Sequence, residues 1–174
     1  MSCPPLTDTQ KFSDFDAWMT DACYEDEDKT WSATARLHST TQTNCTVFGT
    51  NALLDIYAYH QVSPGIGALN ITDPNKPWSN VEWLVDAGLA DWVASPCVLP
   101  SVGLYAIQKW GDPVKLRNGH FAFLLVRGPR DYVVVDASKS QNGVAWRETD
   151  KHPTEWFGTD NIKWVRLKHP SEVK

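Results

Sequence analysis

The sequence contains no long hydrophobic run, no pair of cysteines at metal-binding spacing and no cluster of basic residues. No apolar segment in the 174 residues is long enough to span a bilayer, which argues against a membrane protein. The four cysteines are far apart in the chain and form no C-x-x-C pair, which argues against a structural zinc site. The formal charge is −5 and the lysines and arginines are scattered, so nucleic acid is not expected as a partner.

The first residues also contain no basic region followed by an apolar one, so no signal peptide is expected. We therefore expect reduced cysteines and synthesis in the cytoplasm, and export or delivery without a cleaved signal stays open. Hydrophobic residues make up 42% of the chain, which predicts a single folded domain over 1–174 with a polar lead-in over 1–12. No metal or other cofactor is expected, and the oligomeric state is not predicted.

Hydrophobic periodicity predicts helices in the first half of the chain. One helix is expected over 13–24, and a polar loop over 25–44 follows it. Thr43 or Asn44 can cap the next helix, which is expected to run from Cys45 to about residue 60. Apolar residues cover nearly the whole circumference of that segment, which is typical of a buried central helix.

Turn and capping residues set the boundaries of the segments that follow. Two glycines and three prolines over 61–78 predict a long loop. A capping box that begins at Ser79 predicts a helix to about residue 91. Pro100 at a first helical position, with Gly111 just past the end, predicts another helix between them.

After residue 111 the pattern becomes typical of strands. Residues 120–126 and 132–136 are rich in β-formers, and the turn residues 128–131 between them predict a hairpin. Residues alternate again over 162–167, which predicts a last strand. Helices first and strands last predict an α+β fold, with N-terminal helices and a central buried helix packed on a C-terminal antiparallel sheet.

Three residues in this plan suggest chemistry. Cys45 begins an apolar helix, His120 follows Gly119 at the start of a strand, and Asp136 closes the next strand. A thiol attacks carbonyls only as thiolate, which a helix N-terminus and a nearby imidazolium both stabilise. An acid behind the imidazole fixes its tautomer. The order Cys, His, Asp therefore predicts a cysteine hydrolase, with Cys45 as nucleophile, His120 as general base and acid, and Asp136 as orienting acid.

The arrangement over roughly 40–140 resembles the papain-like superfamily. Asn44-Cys45 before an apolar helix, with Gly119-His120 and then a strand ending in Asp136, is similar to the papain-fold toxin and deamidase group. Cys45-Thr46 with Gly119-His120-Phe121-Ala122 is similar to amidases of the CHAP type. His120-Phe121 through Val135-Asp136 is similar to the double-glycine leader peptidases. These matches are short, and they indicate the superfamily rather than one of its branches.

The resemblance implies a papain-like fold and an amide substrate in a protein, a peptide or a peptidoglycan-like polymer, cleaved or deamidated without a cofactor. It also implies an oxyanion-binding Gln before the cysteine, for which Gln42 is the candidate, although its spacing is shorter than usual. Trp78 and Trp83 are candidates for substrate-binding walls, as are Trp92, Trp110 and Trp146. A compact enzyme of this kind could also be a delivered effector.

Several alternatives stay open. Cys97, beside a proline, is a rival nucleophile. The chain could be a papain-like binding module without activity, or an unrelated α+β protein that binds glycans or an apolar ligand through its nine tryptophans. The last alternative predicts that Cys45, His120 and Asp136 are not adjacent.

The strand register tests the triad. Side chains alternate faces along a strand, so His120 and Asp136 touch only if their hairpin has a three-residue loop or a bulge. With a plain four-residue loop they face apart, and Gln141 or Asn142 would become the better orienter.

Overall fold

The structure is a computed structural model that describes residues 8–28, 45, 48–49, 52–53, 56–57, 79–93, 101–109, 120–138, 143–158 and 162–173. Its helices are α1 (Asp8–Asp28), α2, α3 (Ser79–Asp86) and α4 (Pro153–Phe157), with a short 3-10 helix at Pro170–Glu172. The described residues of α2 are Cys45, Phe48, Gly49, Ala52, Leu53, Ile56 and Tyr57. The strands are β1 (Ala90–Trp92), β2 (Gly103–Lys109), β3 (His120–Gly128), β4 (Asp131–Ser138), β5 (Gly143–Thr149) and β6 (Ile162–Leu167).

The six strands form one sheet in the order β1-β6-β2-β3-β4-β5. Each neighbouring pair is antiparallel. The central strands are buried on both faces: the residues of β2 from Gly103 to Gln108 and those of β3 from Phe121 to Val126 are all buried. The prediction of an α+β fold with an antiparallel sheet is therefore confirmed.

Alternation along the strands divides the apolar residues into two clusters. The larger one, the helix-side core, joins Phe121, Phe123 and Val135 to buried residues of α1, α2 and α3. The smaller one, the α4-side core, joins Ala122, Leu124 and Val134 on the opposite face to Phe157 of α4. The helix-side core positions α2, and the α4-side core lies beneath His120.

The described residues of α2 recur every three to four positions from Cys45 to Tyr57, which places them on one face of a helix. This face packs into the helix-side core, where Phe48, Leu53 and Ile56 are fully buried. The Tyr57 hydroxyl donates to the Lys168 carbonyl at 2.9 Å. This hydrogen bond joins α2 to the residue that follows β6.

The helix predicted between Pro100 and Gly111 is wrong, because β2 occupies Gly103–Lys109. The proline and glycine fit the ends of a helix, but the side chains between them alternate between the two faces of a sheet. Leu104 and Ala106 join the helix-side core, whereas Tyr105 and Ile107 join the α4-side core. A continuous apolar run can be either a buried helix or a buried strand, and here two facing cores favour the strand.

Other boundaries differ from those predicted. The first helix begins at Asp8 and continues to Asp28, so it includes part of the expected lead-in and the acidic run expected in a loop. The helix from Ser79 ends at Asp86, and β1 follows at Ala90. Gly88 has a positive φ of 74° and allows the chain to reverse there. Strand β5 and helix α4 were not predicted, because their polar and aromatic residues show no simple period.

Candidate active site

The hairpin of β3 and β4 brings His120 and Asp136 to the same face of the sheet. Val126 pairs with Tyr132, but Gly128 pairs with Asp131, so a register shift at Arg127 forms a β-bulge. Arg130 turns the chain with a φ of 59°. The extra residue in the bulge puts His120 and Asp136 on the same face of the sheet, whereas a plain four-residue loop would put them on opposite faces. The register condition for the pair is therefore met, by the bulge rather than by a three-residue loop.

Beyond this hairpin the two strands separate. Their pairing ends at Phe123 with Val135, whereas β4 stays paired with β5 as far as Ser138. In the separated region the Phe121 N–H donates to the Cys45 Sγ at 3.4 Å instead of to β4. The sulfur therefore lies at the end of β3, where the two faces of the sheet meet.

Close packing of α2 on β3 sets this position. Gly49 lies one helical turn after Cys45, and a Cβ atom added there would overlap the Phe121 ring. Because Phe121 is completely buried, the ring has little room to move away. A glycine is thus required for the helix to approach the strand that carries His120.

His120 lies between an acid and a thiol. Its Nε2 is 2.6 Å from Asp136 Oδ2, which leaves Nδ1 for Cys45. The ring stacks on Phe157 with its centroid 6.4 Å away, and the side chain is 29% exposed. Burial lowers the pKa of His120, but hydrogen bonds and charges of Asp136 and Cys45 outweigh burial and raise the pKa from 6.5 to about 9. The surroundings therefore favour imidazolium at neutral pH.

Asp136 has two cationic partners. Its side chain is 2% exposed; Oδ2 contacts His120, and Oδ1 accepts from Arg147 Nη2 at 2.5 Å. The Arg147 guanidinium lies 5.1 Å above the ring of Trp156. Sequence reasoning missed Arg147, Trp156 and Phe157. Recognising β5 as a strand would have placed Arg147 on the face of Asp136, since Arg147 lies two residues beyond Ala145, the residue opposite Asp136.

Two other predicted residues that the structure describes, Trp146 and Trp92, are not brought to this site. Gln42, Trp78, Cys97 and Trp110 lie outside the described residues, and of Trp83 only its place in α3 is described. Trp146 is on the opposite face of the sheet, against the helix-side core, and Trp92 is 47% exposed on β1. Within the described residues, Cys45 is a thiol and not half of a disulfide.

The described ranges also bear on other kinds of site. No three His, Cys, Asp or Glu residues among them cluster closely enough to hold a metal ion. None of their helices combines the length and the apolar character that crossing a bilayer requires. Comparison with known proteins yields no matching family model, no similar curated protein and no similar solved structure.

Proposed function

We propose that the protein is a cysteine hydrolase of papain-like arrangement that acts on an amide bond through Cys45, His120 and Asp136. The observation that carries this proposal is the contact of His120 with a buried acid and a thiol at once. Sequence separations of 76 residues between Cys45 and Phe121, and of 16 between His120 and Asp136, are bridged at one point of the sheet. An unrelated α+β protein would not need this meeting.

The surroundings of the sulfur favour the thiolate. The Phe121 N–H points at Sγ, and a hydrogen bond to a charged acceptor is stronger than one to a neutral acceptor. The raised pKa of His120 keeps a positive charge beside the sulfur. Both features lower the cost of removing the thiol proton, which is the requirement for a nucleophilic cysteine.

In the proposed reaction the Cys45 thiolate attacks the amide carbonyl carbon and a C–S bond forms. The C–N bond then breaks, and the departing amine takes its proton from the His120 imidazolium. Water next attacks the thioester carbonyl and gives a proton to His120. The C–S bond then breaks, the carboxylic acid leaves, and the Cys45 thiolate is restored beside the His120 imidazolium. Asp136 holds the ring through Nε2 during both steps. We assign oxyanion binding to the Cys45 backbone N–H and to Gln42, as the resemblance implies.

The proposal is tested by the rate at which iodoacetamide alkylates each cysteine as a function of pH, read by mass spectrometry. We expect Cys45 to be labelled fast well below the free-thiol pKa of about 8.5, and His120→Ala to remove this advantage. The other cysteines in the same digest are internal controls. Slow labelling of Cys45 in both proteins would instead indicate a binding module, and fast labelling of Cys97 alone would make it the nucleophile.

The same residues would serve cleavage, deamidation or transamidation, because the groove selects the leaving and accepting groups. We propose protein, peptide or peptidoglycan-like substrates, and a role as a delivered effector is compatible with them. A library of peptides with internal amides and glutamine side chains separates the reactions. New termini indicate cleavage, ammonia without new termini indicates deamidation, and incorporation of an added amine indicates transamidation. Cys45→Ser is the matched inactive control.

A further inference from the structure

Arg147 contacts the acid of the candidate site from the side opposite His120. In the β4–β5 register Arg147 lies opposite Val134 and Asp136 opposite Ala145, so Arg147 and Asp136 are diagonal neighbours on one face. Arg147 donates to Oδ1 at 2.5 Å, while His120 uses Oδ2 at 2.6 Å. Each carboxylate oxygen therefore has its own cationic partner.

The guanidinium is itself held in place. Its side chain is 21% exposed, and its Cζ lies 5.1 Å over the Trp156 ring, within the range of a cation–π contact. Nη2 makes the contact with the acid, whereas Nε is buried without a hydrogen-bond partner in the described part of the chain. An arginine confined in this way holds Oδ1 of the carboxylate through a charge-assisted hydrogen bond.

Charge balance gives this contact a consequence for reactivity. Thiolate, imidazolium, carboxylate and guanidinium alternate in sign along the four residues. Without the guanidinium the carboxylate would be buried with one partner, and burying a charge is costly unless it is paired. Without that second partner the carboxylate would be held less firmly, and so would the His120 ring that it orients.

Resting on the proposed function, we propose that Arg147 is a positioning residue that acts through Asp136 to keep the His120 ring oriented toward the Cys45 thiolate. Trp156 supports it by holding the guanidinium. Neither residue needs to touch the substrate for this role.

The test is the pH profile of Cys45 alkylation in Arg147→Met, Arg147→Lys and the parent. We expect Arg147→Met to move the acid limb of the profile to higher pH and to slow labelling near pH 6 on the order of tenfold. Arg147→Lys keeps the charge and should recover most of the loss. Lys163→Met is the matched control, because Lys163 also pairs with a carboxylate, that of Glu82, and lies over a tryptophan, Trp92, but does not contact Asp136.

A double-mutant cycle with Asp136→Asn shows whether Arg147 acts through the acid. In that background Arg147→Met should have no further effect on the profile. Thermal melting of each variant separates lost folding from lost positioning, and Trp156→Ala, which leaves the ion pair intact, supplies a milder variant with the same direction of shift. A parent with fast Cys45 labelling and an unmoved acid limb in Arg147→Met would overturn the Arg147 proposal alone. A parent with slow labelling would overturn the proposed function.

Discussion

His120 and His169 both bond an aspartate through Nε2, at 2.6 Å to Asp136 and 2.8 Å to Asp14, yet they differ at the other ring nitrogen. Nδ1 of His169 accepts the Ser171 backbone N–H at 3.1 Å and so caps the last short helix. Nδ1 of His120 is left for the Cys45 thiol. A lone pair committed to a backbone N–H cannot take a proton from a substrate or a thiol.

The aromatic surroundings of the two histidines also differ. His169 is 3% exposed, with Trp18 stacked at 5.3 Å and Phe15 edge-on at 5.6 Å. His120 stacks on Phe157 and remains 29% exposed. A histidine–aspartate pair by itself is therefore no mark of catalysis. The third partner and access to solvent distinguish the pair that we propose to be reactive from the pair that caps a helix.

Replacing each histidine should give the largest difference between the two sites, in the rate of Cys45 alkylation. We expect His120→Gln to slow Cys45 alkylation at pH 6.5 on the order of 100-fold, because a general base in contact with the nucleophile is removed. His169→Gln should leave the rate unchanged, because its contacts belong to a helix cap. Rates are measured by mass spectrometry on folded protein. Equal losses in the two variants would show that labelling reports only local opening.

The free energy of unfolding should depend more on His169 than on His120. His169→Ala removes a hydrogen bond to Asp14, a cap at Ser171 and the packing against Trp18, so we expect the free energy of unfolding to fall by about 2–3 kcal/mol. His120→Ala should cost less, because that ring is partly exposed and forms no cap. Urea unfolding of both variants at one pH measures the difference. A larger loss for His120→Ala would contradict the structural role given to His169.

The pH dependence of stability sharpens the assignment of His120. Its pKa is raised from 6.5 to about 9 in the folded state, so its stabilisation is complete below about pH 6.5 and is lost as the pH rises through 9. We expect the free energy of unfolding to fall by roughly 1–2 kcal/mol over that window, a value reduced for partial exposure. The measurement is urea unfolding at pH 6.5 and pH 9.5. In His120→Gln the free energy of unfolding should lack this decrease between the two pH values. If the decrease is the same as in the parent, it does not come from His120.

The smallest effect concerns a third buried polar side chain. Asp136, His169 and Gln108 are the buried polar or charged residues of the described part of the chain, and there neither amide atom of Gln108 has a hydrogen-bond partner. Replacing an unsatisfied amide with an apolar group of similar shape removes a desolvation penalty. Gln108→Met should therefore raise the free energy of unfolding by about 1 kcal/mol. A lower melting temperature with slower Cys45 labelling would instead indicate that the amide supports the site.

The sequence predicted elements best where pattern and turn chemistry agreed. The runs at 120–126 and 132–136 each alternate between two cores, and β3 and β4 were found there. Pro100 and Gly111 led to a wrong prediction because they are equally typical of the ends of a helix and of the flanks of a strand. Only the α4-side core, on the second face of the sheet, favours the strand. Arg147 was not recognised, since an arginine in a polar segment is typical of a solvated surface, and only the β4–β5 register makes it a diagonal neighbour of Asp136.

By itself the sequence determined the α+β order of helices before strands and the residue types available for chemistry, because periodicity and side-chain chemistry are local properties. The tertiary structure decided which of those residues meet. A single bulge at Arg127 sets the parity that lets His120 face Asp136, and the separation of β3 from β4 lets Cys45 reach Phe121. Both depend on pairing between distant segments, where a shift of one residue turns every side chain to the other face.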